Sequence, residues 1–346
     1  MLCGSSADTV ARCMEMGARC DRTLFLECGV SAMSYRRLGN SGLVVSIAGV
    51  GCNTFGRDID QRGAAAVVDA ALDLGINFFD TSDTYGGPGH ELSERFLGAA
   101  LKGRRDDVVV ATKFGKPMSG VNGPDLGARG ARRYVLRAVE SSLRRLETDH
   151  IDLYQMHEPD PATPIEETLS ALDDLVTAGK VRYIGCSNFA AWEVADAAWV
   201  SRTRGWAPFV SAQNHYSLLN REVEAELVPA CQRFGLGLLP FFPLESGLLT
   251  GKYRRGQAAP AGTRLTQERF MQRLDHAPWD RIEALRAYAE ERGRSLLDVA
   301  LGGLAAQPAV ASVIAGATTP DQIRENTAAV EWQPSAQDLA ALRALG

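Results

Sequence analysis

The sequence predicts an α/β fold, a (β/α)8 TIM barrel with a β-hairpin before it and extra helices at its C-terminal end. Three observations carry that expectation. Short apolar runs alternate with amphipathic segments eight times between residues 47 and 329, the pattern of parallel strands covered on both faces by crossover helices. Three successive runs, at 77–80, 108–113 and 151–157, each deliver an ionisable residue at the C-terminal end: Asp80, Lys113 and His157. In a barrel those ends share one face, and that face carries the active site. No break in composition divides the 346 residues, 45% of them hydrophobic, into separate domains.

Residues 1–32 stand apart. They hold Cys3, Cys13, Cys20 and Cys28, four of the seven cysteines, at gaps that fit no common metal spacing. They lack the apolar stretch of a secretory signal, and Asp8, Glu15, Asp21 and Glu27 make them too acidic for a transit peptide. The expectation is a disordered extension or an upstream mis-start, with Met33 heading one barrel domain over 33–346. A thiol-based sensor is the functional alternative. Residues 35–45 then read as a hairpin turning at Asn40, Ser41 and Gly42, which tolerate positive φ.

The strand–helix units follow in order. Strand 47–50 precedes helix 60–74, strand 76–80 precedes helix 90–102, and strand 108–113 precedes helix 132–147. In that third helix Val135, Val139, Leu143 and Leu146 form one apolar stripe. Strand 151–156 leads to helix 164–178, opened by a capping-box pattern, Thr163-Pro164-Ile165-Glu166. Strand 181–186 pairs with helix 191–202, and strand 209–213 with helix 221–234. Strand 236–241 is followed by a long segment, 243–294, with a Gly/Pro-rich loop at 256–263 and a helix over 279–292. Helix 296–306, strand 310–314, helix 320–329 and a final helix over 335–345 complete the chain.

Composition removes several function classes. A formal charge of −5 and a pI near 5.7 argue against a general nucleic-acid binder. No apolar run reaches the roughly 18 residues needed to span a bilayer. An odd number of irregularly spaced cysteines, with no CxxC pair, predicts reduced thiols and a cytoplasmic protein. Cys52, Cys186 and Cys231 read as small buried residues. His90, His150, His215 and His276 have no ligand spacing, so no metal is expected, and a metal-dependent barrel hydrolase would need His-x-His or a cluster of His/Asp ligands at strand ends, which the first strand lacks.

Tyr85 lies on the loop after the second barrel strand. A tyrosine beside a lysine, a carboxylate and a histidine is a proton-donor constellation. No Gly-x-Gly-x-x-Gly joins a strand to a helix; the nearest run, Gly235-Leu236-Gly237-Leu238-Leu239-Pro240, opens a strand and ends in proline. Barrels bind phosphates on the loops after strands seven and eight, here the residues following Phe242 and Ile314.

The motifs Gly51-Cys52-Asn53-Thr54-Phe55-Gly56, Asp80-Thr81-Ser82-Asp83-Thr84-Tyr85-Gly86, Ala111-Thr112-Lys113-Phe114-Gly115, Asp152-Leu153-Tyr154-Gln155-Met156-His157, Gly185-Cys186-Ser187-Asn188-Phe189 and Ser246-Gly247-Leu248-Leu249-Thr250-Gly251-Lys252-Tyr253 occur in this order. With them the chain resembles the aldo-keto reductase family, from about Tyr35 to the C-terminus. It is more similar to bacterial reductases and potassium-channel β-subunits than to mammalian aldose reductases.

The resemblance implies NADPH-dependent reduction of a small-molecule aldehyde or ketone, with NADH possible. It implies a catalytic tetrad of Asp80, Tyr85, Lys113 and His157. An unperturbed phenol titrates near 10, and a neighbouring ammonium favours its phenolate. Asp80 would keep Lys113 charged and in place, while His157 would hydrogen-bond the carbonyl oxygen and form an oxyanion-stabilising pair with Tyr85. Ser187, Asn188 and Gln213 would hold the carboxamide, and Tyr216 would stack on the nicotinamide. Pro243, Leu244, Ser246, Gly247, Leu249 and Gly316 lie on the loops that would take the phosphates, with Thr318, Gln322, Glu325 and Asn326 at the adenosine end. Many relatives carry a cation in the stretch matching 316–322; this chain has none there, so Lys252 and Arg264 are the expected partners of a 2′-phosphate. Phe55, Tyr85 and His157 are expected to line the substrate site. A cofactor-sensing regulatory subunit with little turnover is the alternative function, because the channel β-subunits keep the same tetrad.

Overall fold

A computed structural model describes residues 33–87 and 91–345; the expectation for residues 1–32 lies outside them. The chain opens with β1 (Tyr35–Arg37) and β2 (Val44–Ser46), which pair antiparallel with Arg36 opposite Val45. The left-handed residue of the turn is Gly39 (φ +59°), one place before the expected Asn40. Gly39 also lies against the barrel so closely that a Cβ there would sit 2.3 Å from the Gly235 carbonyl oxygen, so no other residue fits. Asn40 N–H donates to the same carbonyl at 2.8 Å. The hairpin sends Leu38 and Val45, both fully buried, into a cluster with Phe78, Val109, Leu153, Val210 and Leu239. It thereby plugs one end of the barrel with apolar surface removed from water.

Eight parallel strands follow in sequential order: β3 (Ala48–Gly51), β4 (Phe78–Asp80), β5 (Val109–Phe114), β6 (Ile151–Met156), β7 (Val181–Ser187), β8 (Phe209–His215), β9 (Gly237–Phe241) and β10 (Val313–Gly316), with β10 returning to β3. The last seam, between β9 and β10, is narrow. It is made by Leu238 N–H to Ala309 O at 2.7 Å and Ala311 N–H to Leu238 O at 3.0 Å, around a bridge of Leu238 to Val310. The strand expected over 310–314 therefore contributes first to this seam and begins its regular ladder three residues later.

The outer helices are α1 (Gln61–Asp73), α2 (Leu92–Ala100), α3 (Arg132–Leu146), α4 (Ile165–Thr177), α5 (Ala191–Arg204), α6 (Leu227–Phe234), α7 (Glu268–Asp275), α8 (Trp279–Glu290), α9 (Leu296–Ala305), α10 (Pro320–Val330) and α11 (Ala336–Leu345). The α1 N-terminus is capped by Asp60, which accepts from Gly63 N–H. The expected stripe of α3 is buried. Two expectations fail locally. The capping box before α4 does not form: Pro164 occupies the N-cap, and the Thr163 hydroxyl donates to Asp160 instead. The helix expected over 221–234 is broken into a turn at Glu222–Glu224 and α6. Pro229 explains the break, because proline fits only the first turn and the helix must restart just ahead of it. Helix α7, short and charged, was not expected. Among the described residues no helix is long and apolar enough to cross a membrane.

Candidate active site

At the C-terminal mouth of the barrel lies a cleft of about 870 Å³, within the roughly 300–1,000 Å³ typical of ligand sites. Its candidate catalytic end is built by three adjacent strands. β4 ends on Asp80, β5 carries Lys113 next to last, and His157 follows β6; the register sets Asp80 beside Ala111 and Lys113 beside Gln155. Residues 81–85 fold back so that Tyr85 reaches the same point.

Lys113 is fully buried beneath the cleft floor. Its Nζ donates to Asp80 Oδ2 at 2.6 Å, to Thr81 O at 2.9 Å and to Tyr85 Oη at 3.4 Å. A buried charge is tolerable only when paired and fully hydrogen-bonded, and here each ammonium proton has an acceptor. Asp80 is satisfied in turn by Gln213 Nε2 at 2.8 Å and Gln155 Nε2 at 3.3 Å on Oδ1.

Burial pulls the Lys113 pKa down, but Asp80 and Tyr85 outweigh it and hold the ammonium above the ordinary lysine value. Burial pushes the Tyr85 phenol up; Lys113 opposes that push without overturning it. The expected lowering of the phenol by Lys113 is thus present as an influence and absent as a net result, and Tyr85 keeps its proton at neutral pH. His157 is held well below the usual histidine range by burial and by the charges of Lys113 and Lys116. It is a neutral imidazole at neutral pH. Its ring meets Tyr85 edge-on with centroids 5.9 Å apart, and its Nδ1 lies 3.1 Å from Ser82 Oγ.

The other end of the cleft is suited to a dinucleotide. The loop after β9 holds Phe242, Glu245 and Ser246 at φ of 53°, 47° and 59°, with Gly247 at 106°. Such strain in non-glycine residues gathers at binding sites. Ser246 Oγ and Asn53 Oδ1, both on residues lining the cleft, are buried without a hydrogen-bond partner, which a ligand would supply. Across from this loop, α10 presents its N-terminus with Thr318, Gln322, Glu325 and Asn326 on the lining, an arrangement that favours phosphate. Lys252 and Arg264 line the same end, Arg264 with its guanidinium 4.6 Å from the Phe270 ring centre.

Of the expected site residues, Asp80, Tyr85, His157, Ser187, Asn188, Gln213, Pro243, Leu244, Ser246, Gly247, Lys252, Arg264, Gly316, Thr318, Gln322, Glu325 and Asn326 line this one cleft. Ser187 and Asn188 are bonded to each other at 3.1 Å, and Asn188 Nδ2 also donates to His157 O at 2.9 Å. Phe55, Tyr216 and Leu249 are outside the lining. Phe55 and Leu249 are fully buried. Phe55 turns into the core at its bridge to Ile59. The Tyr216 hydroxyl donates to Glu224 at 2.6 Å. Each is an aromatic or aliphatic side chain that packing claimed. Sequence reasoning missed Asn53, Arg57, Asp58, Lys116, Thr250 and Gln267, all on the lining. The signal for the first four was available: each follows a barrel strand on the functional face. Among the described residues no group of three or more His, Cys, Asp or Glu is placed to hold a metal.

A profile of the aldo/keto reductase family matches residues 48–346. The chain is 39% identical over 304 residues to the uncharacterized oxidoreductase YrpG of Bacillus subtilis, covering 86% of this chain and 91% of that protein. It is 35% identical over 311 residues to a probable voltage-gated potassium channel subunit beta of rice, Oryza sativa, covering 87% and 92%. To the L-glyceraldehyde 3-phosphate reductase of Escherichia coli it is 34% identical over 310 residues, covering 86% and 88%. The barrel, the buried Lys113–Asp80 pair under a dinucleotide-sized cleft, and the extent of these matches agree: the chain belongs to the aldo/keto reductase family of NAD(P)H-dependent oxidoreductases.

Proposed function

We propose that the protein reduces aldehyde or ketone carbonyls to alcohols with NADPH, Tyr85 giving the proton. The observation that carries this reading is Lys113, fully buried, with one proton on Asp80 and another on Tyr85 Oη. A bound nicotinamide supplies the hydride. As the carbonyl carbon accepts it, negative charge grows on the oxygen. Tyr85 donates its phenolic proton there, and the Lys113 ammonium stabilises the phenolate left behind. His157, neutral, offers a second hydrogen bond to the same oxygen. Asp80 holds Lys113 charged. The unpartnered Ser246 Oγ and Asn53 Oδ1 and the α10 N-terminus support a dinucleotide along the rest of the cleft, with Lys252 and Arg264 as the cations for a 2′-phosphate.

A second reading, a cofactor-sensing subunit with slow turnover, draws on the similarity to a channel β-subunit. Steady-state reduction of a panel of aldehydes and ketones with NADPH and NADH separates the two. Tyr85→Phe should lower carbonyl reduction roughly 10²–10⁴-fold while nucleotide binding, followed by intrinsic fluorescence, is kept. Turnover within about threefold of wild type would remove Tyr85 from the role.

A further inference from the structure

Behind His157 lies a buried polar network that the reduction itself does not use. Ser82 Oγ sits 3.1 Å from His157 Nδ1 and 3.3 Å from Asp83 Oδ1, and receives Thr84 N–H at 3.2 Å. Thr84 Oγ1 is 3.0 Å away. Ser82 and Asp83 are both fully buried. Asp83 Oδ2 accepts from Asn122 at 2.8 Å, and Asn122 Oδ1 accepts from Arg145, which is ion-paired to Glu94 at 2.5 Å. With Asn122 on Oδ2, the other oxygen of Asp83 faces Ser82.

A serine hydroxyl has one proton. When it donates to Asp83, it can only accept from His157, whose Nδ1 must then carry the ring proton. When it donates to His157 Nδ1, the ring proton sits on Nε2, and Asp83 Oδ1 keeps its bond to Ser82 only by carrying a proton of its own, which the Ser82 oxygen accepts beside Thr84 N–H. We propose that Ser82 and Asp83 form a proton relay that sets the tautomer of His157. A protonated Asp83 makes Nε2 a donor to the carbonyl oxygen, and an ionised Asp83 makes it an acceptor that cannot serve.

Glu94 from α2, Arg145 and Tyr134 from α3, Tyr154 from β6 and the amide of Asn122 surround Asp83. Burial, then the charge of Glu94, raise its carboxyl to about 8 against the pull of Arg145. Burial pushes the two neighbouring phenols up, Tyr154 well above its usual value and Tyr134 to about 12. On the His157 side, Tyr85 and Lys113 are both held above their ordinary values.

The inference rests on the proposed role of His157, but its primary test does not. The full-length chain labelled with ¹⁵N in its 5 histidine rings, with His157 assigned by His157→Gln, reports the tautomer directly. Wild type should pass from Nε2–H to Nδ1–H with a midpoint near about 8. Asp83→Asn, whose amide is a permanent donor to Ser82, should hold Nε2–H up to roughly pH 9.5, and Ser82→Ala should abolish the pH dependence. Reductive turnover should fall about tenfold per pH unit above the wild-type midpoint and stay level in Asp83→Asn. One wild-type tautomer across the range, or the same transition in Asp83→Asn, overturns the relay. A tautomer that switches while turnover ignores it upholds the relay and removes His157 from catalysis.

Discussion

Asp80→Asn tests how the site keeps its charge. In the native site burial is the largest influence on Lys113 and acts to strip its proton; Asp80 is the first influence opposing it. The substitution preserves shape, and an asparagine oxygen can still accept from Gln155 and Gln213. What it removes is the carboxylate 2.6 Å from Nζ. With the carboxylate gone, burial acts on Lys113 against Tyr85 alone among its charged partners, and its pKa should fall from its raised native position to below the ordinary lysine value. The charge at stake for Tyr85 is large. At the 3.4 Å separating Nζ from Oη and an effective dielectric of about 20, the interaction with a phenolate is about 5 kcal/mol, more than three pKa units. The ammonium of the variant is present below the depressed pKa and lost as pH rises through it. Asp80→Asn should therefore retain much of its kcat/KM at the acid end of the profile and fall toward the level of Lys113→Met at the alkaline end, roughly 10²–10⁴-fold below wild type. The assay is kcat/KM against pH for the three proteins. A profile for Asp80→Asn that parallels wild type within about threefold would show that Lys113 holds its proton without Asp80, and the argument from burial would fail.

Three further outcomes follow from the same geometry. Arg264→Ala should weaken NADPH binding about tenfold or more, the worth of a charge-assisted hydrogen bond, while leaving the Michaelis constant for NADH unchanged; equal losses for both cofactors would place the 2′-phosphate elsewhere. Phe55→Ala should cost about 3–5 kcal/mol of stability as a core cavity with little change in KM across an aldehyde series, since the ring is fully buried; a KM that tracks substrate size would return Phe55 to the pocket. Asp83, raised from 3.8 to about 8 by burial first, contributes stability that is fully present below the unfolded value and is lost as pH rises through the folded one. Thermal unfolding of wild type should fall across that window relative to Asp83→Asn, and parallel curves would contradict it.

Much of the barrel and its site could be read from residue order because both obey a positional rule. A parallel strand must end on the functional face, so Asp80 and Lys113 at the ends of apolar runs, and His157 just past one, were readable without any view of their contacts. The polar residues opening α10 were readable for a similar reason: a helix start following the eighth strand points at that face. Inside-or-outside choices of single aromatics were not readable. Phe55 and Tyr216 are suited equally to a pocket wall and to a core, and apolar character does not separate the two. The helix break ahead of Pro229 was missed although proline marks it, whereas α7, eight residues of mixed charge, has no long apolar periodicity to announce it.

The charged network behind His157 was hidden for the opposite reason. Asp83, Glu94 and Arg145 look like solvated charges in a linear reading, yet Asp83 and Glu94 are fully buried and Arg145 is nearly so. Burying them is costly unless they are paired and hydrogen-bonded, and Thr112 and Asn122 complete their bonding. The position of that network is informative. Thr112 immediately precedes Lys113, and Asp83 lies two residues before Tyr85 and forms part of the same turn. A polar core placed there fixes the backbone on which both proposed catalytic groups ride, and it also faces the ring nitrogen Nδ1 of His157. Replacing the Glu94–Arg145 pair with apolar residues of similar volume is often neutral or stabilising, and it removes both the Glu94 charge that raises the Asp83 carboxyl and the weaker opposing charge of Arg145, leaving burial as the main influence. Unchanged stability with a displaced midpoint for the His157 tautomer would mark the pair as one kept for chemistry, and a loss of stability with the midpoint unmoved as one kept for folding.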